Sequence, residues 1–500
     1  MAVVTDDFAE FPAPEAATSA PRPTPTGSTA AGPTPTAPYD DGPLAWDGYG
    51  FARQQARERT GEDESVVSGT ARVAGVPVVL VSFEFGFLGG SLGERTGDRL
   101  VAAWTRAREL RLPVVTLIAT GGSRMQEGMR ALTQLQRVAG QSALNRAAGL
   151  PQVAVVRDPT TGGGWATLGA GADVVLALPG AQVGFAGSRV RPADADPYAY
   201  SAEGQLAAGQ VDAVVPPDDL RAALGRWLRL LSPGDDEAPS PKTAPPLHGE
   251  TPSTKTTPPR HGETPSTRTA PSRHSEVPSA APAPPPPALG TAGLPASGWE
   301  AVCSARDARR PRAEAYLDAY FDWREEISGD RCGGTDPGIR CGFGRHDGRT
   351  IAFAAQCGTA VRPAGFRTAA RLIRLADRLG IPVLTLIDTP GAANDPAAER
   401  AGAGAAIADV FSALASVRTL VTSLLIGEGG SGGALALAAP DRLWATPDSY
   451  FSVIAPEAAA AILKRDADAA RGTADQLRVR PQDLLDLGLI RGVVPPRSDG

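Results

Sequence analysis

Histidine is scarce in this chain, with four copies among 500 residues, and their positions exclude most histidine-based catalysis. His248, His261 and His274 all lie in one low-complexity tract, and His346 lies in the turn-like segment GRHDGRT. No histidine is therefore placed to act as the base of a Ser-His-Asp or Cys-His site. Any chemistry carried out by this chain must draw on groups other than imidazole.

Cysteine is also rare, and its spacing excludes the common cysteine frameworks. The four copies, all in the C-terminal half, are Cys303, Cys332, Cys341 and Cys357. They show neither the paired CxxC spacing of a zinc site nor the density of a disulfide scaffold. We therefore predict free thiols in a reducing cytoplasm and no zinc.

Long apolar runs and a secretory signal are absent. Stretches such as VPVVLVSF (76–83) have the length of a strand and are too short to span a bilayer. The first residues, MAVVTDDFAEFP, lack a basic segment followed by an apolar run. The net charge of -6 and the pI near 5.5 argue against a nucleic-acid partner. We expect a soluble cytoplasmic protein with neither nucleic acid nor membrane as a partner.

Two tracts rich in Pro, Ala, Thr and Ser divide the chain. Residues 1–43 contain few large apolar groups, so we predict a disordered tail. Residues 232–297 contain a 13-residue repeat, HGETPSTKTTPPR followed by HGETPSTRTAPSR, and predict a disordered Pro-rich linker. The globular domains are then 44–231 and 298–500.

The two globular parts resemble each other, and both alternate short apolar strands with amphipathic helices. The matching pairs, in the same order in both parts, are PVVTLIAT (113–120) with PVLTLIDT (382–389), TGGGWATLGAGADVV (161–175) with GSGGALALAAPDRLW (430–444), and LAAGQVDAVVPP (206–217) with LDLGLIRGVVPP (485–496). In addition, an amphipathic helical pattern precedes both members of the first pair, at 97–110 and at 365–379. Such ordered matches predict two α/β domains related by duplication.

Glycine turns between strands and helices are the strongest candidates for a reaction centre. Gly121 and Gly122 fall where a strand ends and the next helix begins, and Gly162 to Gly164 form a second turn. The densest cluster, in the second part, contains Gly429, Gly430, Gly432 and Gly433. Main-chain N–H groups at such turns can stabilise a developing oxyanion, and glycine lets the substrate approach them. The sequence contains neither GxxxxGK[ST] nor GxGxxG with a ribose-binding acid, so these turns are not typical nucleotide-binding loops. Glycine at a turn between a strand and a helix can also serve backbone geometry alone.

Charged residues near the turns are candidates for binding an anionic ligand or moving a proton. The arginines of the first part are Arg95, Arg99, Arg124 and Arg137, which could hold the phosphates of CoA or could form a solvated helix face. The nearest acids are Glu127 and Glu428. Glu428 could act as a general acid or base, or could orient its loop.

At this point the sequence resembles a known family, the bacterial acetyl-CoA carboxylase carboxyltransferases. Segments similar to the beta subunit are RTGEDESVVSGTARVAGVPVV (59–79), FEFGFLGGSLGERTGDRLV (83–101), ATGGSRMQE (119–127), DPTTGGGWAT (158–167) and VGFAGSRV (183–190). Segments similar to the alpha subunit are WEAVCSARDARRPRAEAYLD (299–318), DGRTIAF (347–353), IPVLTLIDTPGA (381–392), IGEGGSGGALALAAPDRLW (426–444) and YFSVIAPEAAAAIL (450–463). The chain therefore looks like a beta and an alpha subunit fused.

The resemblance implies two crotonase-like domains, each a spiral of ββα units. It implies transfer of a carboxyl group from carboxybiotin to acetyl-CoA or a related short acyl-CoA, giving malonyl-CoA from acetyl-CoA. Gly121 and Gly122 would hold the thioester carbonyl, with Gly162, Gly163 and Arg124 also contacting the substrate. Gly432 and Gly433 would hold the ureido carbonyl of biotin, helped by Ala434, Gly429 and Gly430. The base would belong to biotin, which explains the dispensable histidine.

The chain departs from the family at three places. No cysteine precedes Cys303, so the N-terminal zinc ribbon is missing, and QCGTAVRPAGFR (356–367) and ANDPAAERAGAG (393–404) are shortened. These departures fit a divergent paralogue serving a specialised polyketide or fatty-acid pathway. The sequence contains neither an ATP-grasp module nor a Met-Lys-Met biotinylation motif.

Biotin carboxylase and the biotin carboxyl carrier protein are therefore expected as separate partners, and we expect a homo-oligomer of two or more chains. Two other functions stay open. The first is another crotonase-type reaction on an acyl-CoA, hydration or hydrolysis, using Glu127 or Glu428. The second is a catalytically silent assembly subunit of an acyl-CoA carboxylase.

Overall fold

Two α/β halves, each built on one sheet, make up the folded part of the chain. The structure, a computed structural model, describes residues 4–12, 14, 40–232, 281–291 and 293–497. Among the helices of these residues, none is long and apolar enough to cross a membrane.

Over the residues described in it, the first half contains eight strands and six α-helices. Its strands are β1 (Asp7–Glu10), β2 (Val66–Val73), β3 (Val76–Phe83), β4 (Val114–Thr120), β5 (Gln152–Thr161), β6 (Val174–Ala177), β7 (Val183–Gly184) and β8 (Ala213–Val214). Its helices are α1 (Tyr49–Thr60), α2 (Glu94–Leu110), α3 (Gly128–Ala147), α4 (Gly162–Gly164), α5 (Ala202–Ala207) and α6 (Pro217–Leu231). A π-helical turn, Trp165–Gly169, continues α4.

The second half contains eight strands and nine helices among the residues that the structure describes. Its strands are β9 (Trp323–Glu326), β10 (Ile339–His346), β11 (Arg349–Gln356), β12 (Val383–Thr389), β13 (Val421–Gly430), β14 (Leu443–Ala445), β15 (Tyr450–Ser452) and β16 (Gly492–Val493). Its helices are α7 (Gly298–Arg306), α8 (Ala313–Tyr320), α9 (Pro363–Leu379), α10 (Pro396–Arg400), α11 (Ala403–Ser416), α12 (Ser431–Leu435), α13 (Pro456–Ile462), α14 (Ala470–Gln476) and α15 (Pro481–Asp486).

The two sheets have the same topology. The first runs β1-β2-β3-β4-β5-β6-β8 with β7 also on β5, and the second runs β9-β10-β11-β12-β13-β14-β16 with β15 also on β13. Each begins with an antiparallel hairpin and continues with parallel strands. The ladder even shifts register at the same place, between Ile118 and Thr120 and between Ile387 and Thr389. The prediction of two duplicated crotonase-like domains is confirmed.

Strand composition explains the layering. All seven residues of β4, VVTLIAT, and of β12, VLTLIDT, are buried, as expected for central parallel strands that are covered on both faces. Helix α9 shows the complementary pattern, with buried residues on one face and arginines on the other. Parallel strands bring their carboxyl ends to one edge, which is where the glycine turns lie.

The structure is ordered in one segment of each tract that the sequence predicts to be disordered. Within the tail predicted to be disordered, β1 pairs antiparallel with β2 at the sheet edge. Within the predicted linker, Ala283 and Ala288 are buried, and Ala288 pairs with Pro496. Composition misses both segments because they are ordered by partners that are distant in sequence. Residues 15–39 and 233–280, including the repeat, lie outside the described residues.

Candidate active site

The first-half turn follows β4 and is held by an adjacent loop. Gly121 donates its main-chain N–H to the carbonyl of Gly89 at 3.0 Å, and Leu92 donates to the carbonyl of Gly122 at 2.9 Å. The N–H of Gly122 is directed at the hydroxyl of Thr120, with N and Oγ1 3.0 Å apart. Gly122 adopts a φ of +104°, which favours glycine.

These contacts change the roles predicted for Gly121 and Gly122. Gly121 is exposed and its partner Gly122 is buried, so the turn borders the surface as an active site requires. Both N–H groups nevertheless have acceptors within the protein, so in this conformation neither serves as an oxyanion donor. The prediction missed the contact of Gly121 because Gly89 is distant in sequence.

Helix α4 opens directly beside this turn. A Cβ placed on Gly122 would lie 3.7 Å from the Cα of Gly162, and a Cβ on Gly163 would lie 2.3 Å from Leu135 Cδ1 of α3. The first N–H groups of a helix have no partner within the helix. The half-buried Gly162 and Gly163 therefore place main-chain donors next to Gly121 and Gly122.

The second half repeats this arrangement with different residues. Gly391 has a φ of +141° and directs its N–H at Thr389 Oγ1, 3.1 Å away. Val361 donates to the carbonyl of Gly391 at 3.1 Å, as Leu92 does to Gly122. A Cβ on Gly433 would lie 2.3 Å from the main-chain N of Ala392. By topology, Gly432 and Gly433 are thus equivalent to Gly163 and Gly164.

The residues around Gly432 and Gly433 divide into donors and packing positions. Gly432, Gly433 and Ala434 are buried and lie in the first turn of α12. Gly429 and Gly430 instead lie in β13, where a Cβ would lie 2.7 Å from the ring of Phe451 and 2.0 Å from the carbonyl of Pro390, respectively. For these two, close packing accounts for the glycine, which differs from the predicted contact with substrate.

The side chain of Gln356, at the end of β11, also reaches this turn. Gln356 is fully buried, and its Nε2 donates to the carbonyl of Gly433 at 2.9 Å. Its Oε1 has no hydrogen-bond partner among the described residues. The sequence analysis quoted this residue only as the start of a shortened segment, and its contact with α12 spans 77 residues.

The two glycine sites lie on one interface between the halves. A Cβ on Gly432 would lie 3.3 Å from Cζ of Phe185 in the first half. Phe185 directly follows β7, which pairs with the Thr160–Thr161 segment that leads into α4. Gln136 of α3 donates to the carbonyls of Leu435, at 3.1 Å, and Ala438, at 2.6 Å. Helix α3 therefore contacts both α4 and α12 within the same chain.

Glu399 joins the halves beside Phe185. It is 1% exposed, and its carboxylate accepts hydrogen bonds from the main-chain N–H of Phe185 at 3.0 Å and of Ala186 at 2.7 Å. Burial raises the pKa of Glu399 to about 7, although the two N–H donors oppose that shift. The surrounding contacts across the interface are Tyr200 with Asn394, Asn394 with Val190, and Arg400 with Asp196.

Arg124 is not placed to bind substrate. It is 1% exposed, and its guanidinium pairs with Glu64 and with Glu127, the latter at 3.1 Å. Burial works against ionisation of Glu64, yet the Arg124 charge holds the pKa of that carboxyl below its ordinary value. The structure therefore does not support the predicted substrate contact of Arg124, and the sequence could not show this because Glu64 lies 60 positions away.

All but one of the other charged candidates also have partners within the protein. Arg99 donates to the carbonyl of Val66 at 2.8 Å, and Arg137 pairs with Asp98 at 2.8 Å. The two candidate acids share one pattern, since Glu127 accepts from Tyr49 Oη and Glu428 accepts from Tyr450 Oη. Arg95 is exposed. Among the described residues, no group of three or more His, Cys, Asp or Glu side chains is arranged to hold a metal ion.

Two family models match the chain, one for each half. The first, described as carboxyl transferase domain, matches residues 48–244. The second, described as acetyl co-enzyme A carboxylase carboxyltransferase-like, matches residues 295–500.

Curated relatives match across both halves. The acetyl-coenzyme A carboxylase carboxyl transferase subunits beta/alpha of Salinispora arenicola is 39% identical over 457 residues, covering 88% of this chain and 75% of the relative. The protein of the same name from Saccharopolyspora erythraea is 36% identical over 466 residues, covering 89% and 74%. A probable biotin-dependent acyl-coenzyme A carboxylase beta3 subunit of Mycobacterium tuberculosis is 33% identical over 478 residues, covering 92% and 86%.

Among solved structures, transcarboxylase 12S with hydrolysed methylmalonyl-coenzyme A matches at 19% identity, with a TM-score of 0.35 and coverage of 86% of this chain and 79% of that chain.

Proposed function

Since this chain belongs to the family of acetyl-coenzyme A carboxylase carboxyl transferase subunits beta/alpha and is a carboxyltransferase, we propose that its two halves form one site that carboxylates a short acyl-CoA, acetyl-CoA first among them. The observation that carries this proposal is the shared interface. The glycine turns of both halves contact α3, and Phe185 of the first half lies against Gly432 of the second.

The acyl-CoA side is assigned to the turn at Gly121 and Gly122 and the start of α4. The exposed Gly121 and the half-buried Gly162 and Gly163 form the accessible part of this surface. Because the N–H groups of Gly121 and Gly122 are already bonded, the first-turn N–H groups of α4 are the better donors for the thioester carbonyl. Such a donor typically contributes about 3 kcal/mol to transition-state stabilisation.

The biotin side is assigned to Gly432 and Gly433. Carboxybiotin, borne on a separate carrier protein, would supply the transferable carboxyl group. A Cβ on Gly432 would fill the space against Phe185, and the unpartnered Oε1 of Gln356 lies at the same turn. Both features fit a flat polar ring bound against the main chain. The protein's own part is to orient the two substrates and exclude water.

Partners and setting follow from the same assignment. We propose that a separate biotin carboxylase and biotin carboxyl carrier protein load and deliver the carboxyl group, and that the chain works as a homo-oligomer of two or more copies. We place the reaction in the cytoplasm, where the four free cysteines would stay reduced.

The test is the reverse reaction with the purified chain. Malonyl-CoA and free biotin are mixed, and loss of malonyl-CoA is measured by chromatography with and without biotin. We expect biotin-dependent loss, reduced about 100-fold or more when Gly432 is replaced by Val, because the added methyl groups would occupy the space against Phe185. Gly472→Val, at a site with nothing within 4 Å of an added Cβ, is the control.

Three results would contradict the proposal. Hydration or hydrolysis of acyl-CoA without biotin would favour another crotonase-type enzyme. Association with a biotin carrier protein without any turnover would favour an assembly subunit. Activity of the Gly432→Val variant equal to that of the control would remove Gly432 from the site. Forward assays with acetyl-, propionyl- and butyryl-CoA would then rank the substrates.

A further inference from the structure

Gln356 is a buried amide whose oxygen lacks a partner. Its side chain is fully buried, its Nε2 donates to the carbonyl of Gly433 at 2.9 Å, and its Oε1 is unbonded among the described residues. A buried acceptor left unsatisfied is destabilising. An unpaired atom at this position therefore needs an explanation.

The orientation of the amide is fixed by its neighbour. The carbonyl of Gly433 is an acceptor only, so turning the amide round would place two acceptors against each other. Because Nε2 and Oε1 belong to one planar group, Oε1 is held beside the Gly433 peptide. It stays without a hydrogen bond next to the glycine turn unless a donor reaches it there.

The duplicated half shows that the fold itself does not require an amide here. Phe83 is the last residue of β3 and pairs with Val66, the first residue of β2. In the same way, Gln356 is the last residue of β11 and pairs with Ile339, the first residue of β10. Phe83 is a buried apolar residue. The same place in the same fold is thus filled without a polar group. The amide is specific to the half to which the biotin side is assigned.

We propose that Gln356 is a binding residue whose Oε1 accepts a hydrogen bond from a ring N–H of a cyclic urea bound at Gly432 and Gly433. The inference rests on the proposed function, since it names a contact within the proposed biotin site. A cyclic urea has a carbonyl acceptor and ring N–H donors, and the main-chain N–H groups of α12 suit the carbonyl. Gln356 then selects which ring nitrogen faces the protein, and leaves the other directed at the acyl-CoA half.

The test measures binding rather than turnover. Saturation-transfer NMR titrations give the Kd of two probes, biotin and biotin methylated on the ring nitrogen that does not carry the carboxyl group. The intact chain should bind biotin about tenfold more tightly than the methylated probe. The Gln356→Met variant should bind biotin about tenfold more weakly and should no longer discriminate between the two probes.

A matched control separates this contact from general loss of a buried amide. Gln482 also donates its Nε2 to a carbonyl, that of Pro295 at 2.7 Å, and its Oε1 also lacks a partner. It lies on α15 and bonds to Pro295 rather than to the glycine turn. Gln482→Met should leave the tenfold discrimination between the two probes unchanged.

A second variant, Gln356→Glu, tests the same contact if Gln356→Met does not fold. In Gln356→Glu a protonated carboxyl can still donate to the Gly433 carbonyl and accept from the ring N–H, whereas an ionised one places a charge against that carbonyl. Burial without a cation raises the pKa of such a carboxyl. Biotin binding by this variant, relative to binding by the intact chain at the same pH, should therefore be strongest at acid pH and fall as pH rises through that pKa.

The two failures can be told apart. If the intact chain shows no biotin-dependent loss of malonyl-CoA, the proposed function fails. If the intact chain is active but Gln356→Met discriminates between the probes as well as the intact chain does, only the role of Gln356 fails. A Kd for Gln356→Glu that keeps the same ratio to that of the intact chain at every pH would also overturn it.

Discussion

Single side chains at the interface between the halves have roles that depend on burial. Glu399 accepts two main-chain hydrogen bonds from the other half while 1% exposed, and Arg124 pairs with two buried acids. In both cases the protein has removed a charge from water, so its cost or benefit depends on the partners. Two predictions follow from these residues.

Glu399 should make the stability of the chain depend on pH. Its pKa in the fold, about 7, lies above its ordinary value of 4.5, so the folded state favours the protonated form. That contribution is fully present below about pH 4.5 and is lost as pH rises to about 7. The stability of the native chain relative to Glu399→Gln should therefore fall across this window, by roughly 1–3 kcal/mol. Urea unfolding at a series of pH values measures it.

An exposed carboxylate serves as the control for Glu399. Glu203 also accepts a main-chain hydrogen bond, from Gly180 at 2.8 Å, but this bond lies in solvent. If the Glu399→Gln difference is as flat with pH as the Glu203→Gln difference, burial does not favour protonation of Glu399.

Replacing Arg124 should destabilise the first half rather than weaken substrate binding. Arg124→Met leaves Glu64 and Glu127 buried without their cation, which costs about 3–5 kcal/mol. Arg137→Met is the control, because its partner Asp98 is partly exposed and such a pair contributes about 0–1 kcal/mol. Thermal unfolding compares the two variants. A normal melting temperature with a raised KM for malonyl-CoA would instead return Arg124 to the substrate site.

At the scale of elements, the duplicated strand-turn-helix unit is the functional building block. In both halves a threonine ends the strand, a glycine with positive φ follows, and a short glycine-rich helix packs close beside it. The helix can approach so closely only because it lacks side chains where it meets its neighbours. The sequence predicts the turns themselves. The repeat that matches residues 161–175 with 430–444 also aligns Gly163 with Gly432, and the pairing of the central strands gives the same equivalence.

The close approach of α4 to α3 can be tested with a pair of alanines. A Cβ on Gly163 would lie 2.3 Å from Cδ1 of the buried Leu135, so Gly163→Ala should cost about 1–3 kcal/mol through overpacking. Gly140 lies in α3 with nothing within 4 Å of an added Cβ, and Gly140→Ala should stabilise by up to about 1 kcal/mol. Denaturant unfolding measures both. If Gly163→Ala stabilised the chain as Gly140→Ala is expected to do, α4 would not pack against α3 as described.

At the scale of the whole molecule, contacts within one chain join the two halves. Gln136 reaches across to α12, Glu399 reaches back to Phe185, and α11 packs on the π-helical turn at Trp165. These contacts are spread over the interface, so a change at one of them should affect the relative placement of both glycine turns.

Gly404→Leu should separate the halves while each keeps its own fold. A Cβ on Gly404 would lie 2.3 Å from Nε1 of the buried Trp165, so a leucine forces α11 away from the first half. We expect a lower melting temperature, by about 2–4 °C for each kcal/mol lost, and loss of biotin-dependent turnover with far-UV circular dichroism unchanged. Gly472→Leu, on the exposed surface of α14, is the control. Full activity of Gly404→Leu would contradict an intrachain site.

The sequence by itself determined the duplication, the α/β alternation, the positions of the glycine turns and the family, because these depend on local periodicity and contiguous motifs. Only the tertiary structure decided which groups are free to act. The carbonyl of Gly89 accepts the hydrogen bond of the Gly121 N–H, and Glu64 forms an ion pair with Arg124. Gln356 donates a hydrogen bond to the carbonyl of Gly433. Each of these contacts joins residues at least 32 positions apart. Tertiary packing decides which groups become partners over such a separation, and a local sequence pattern does not contain that information.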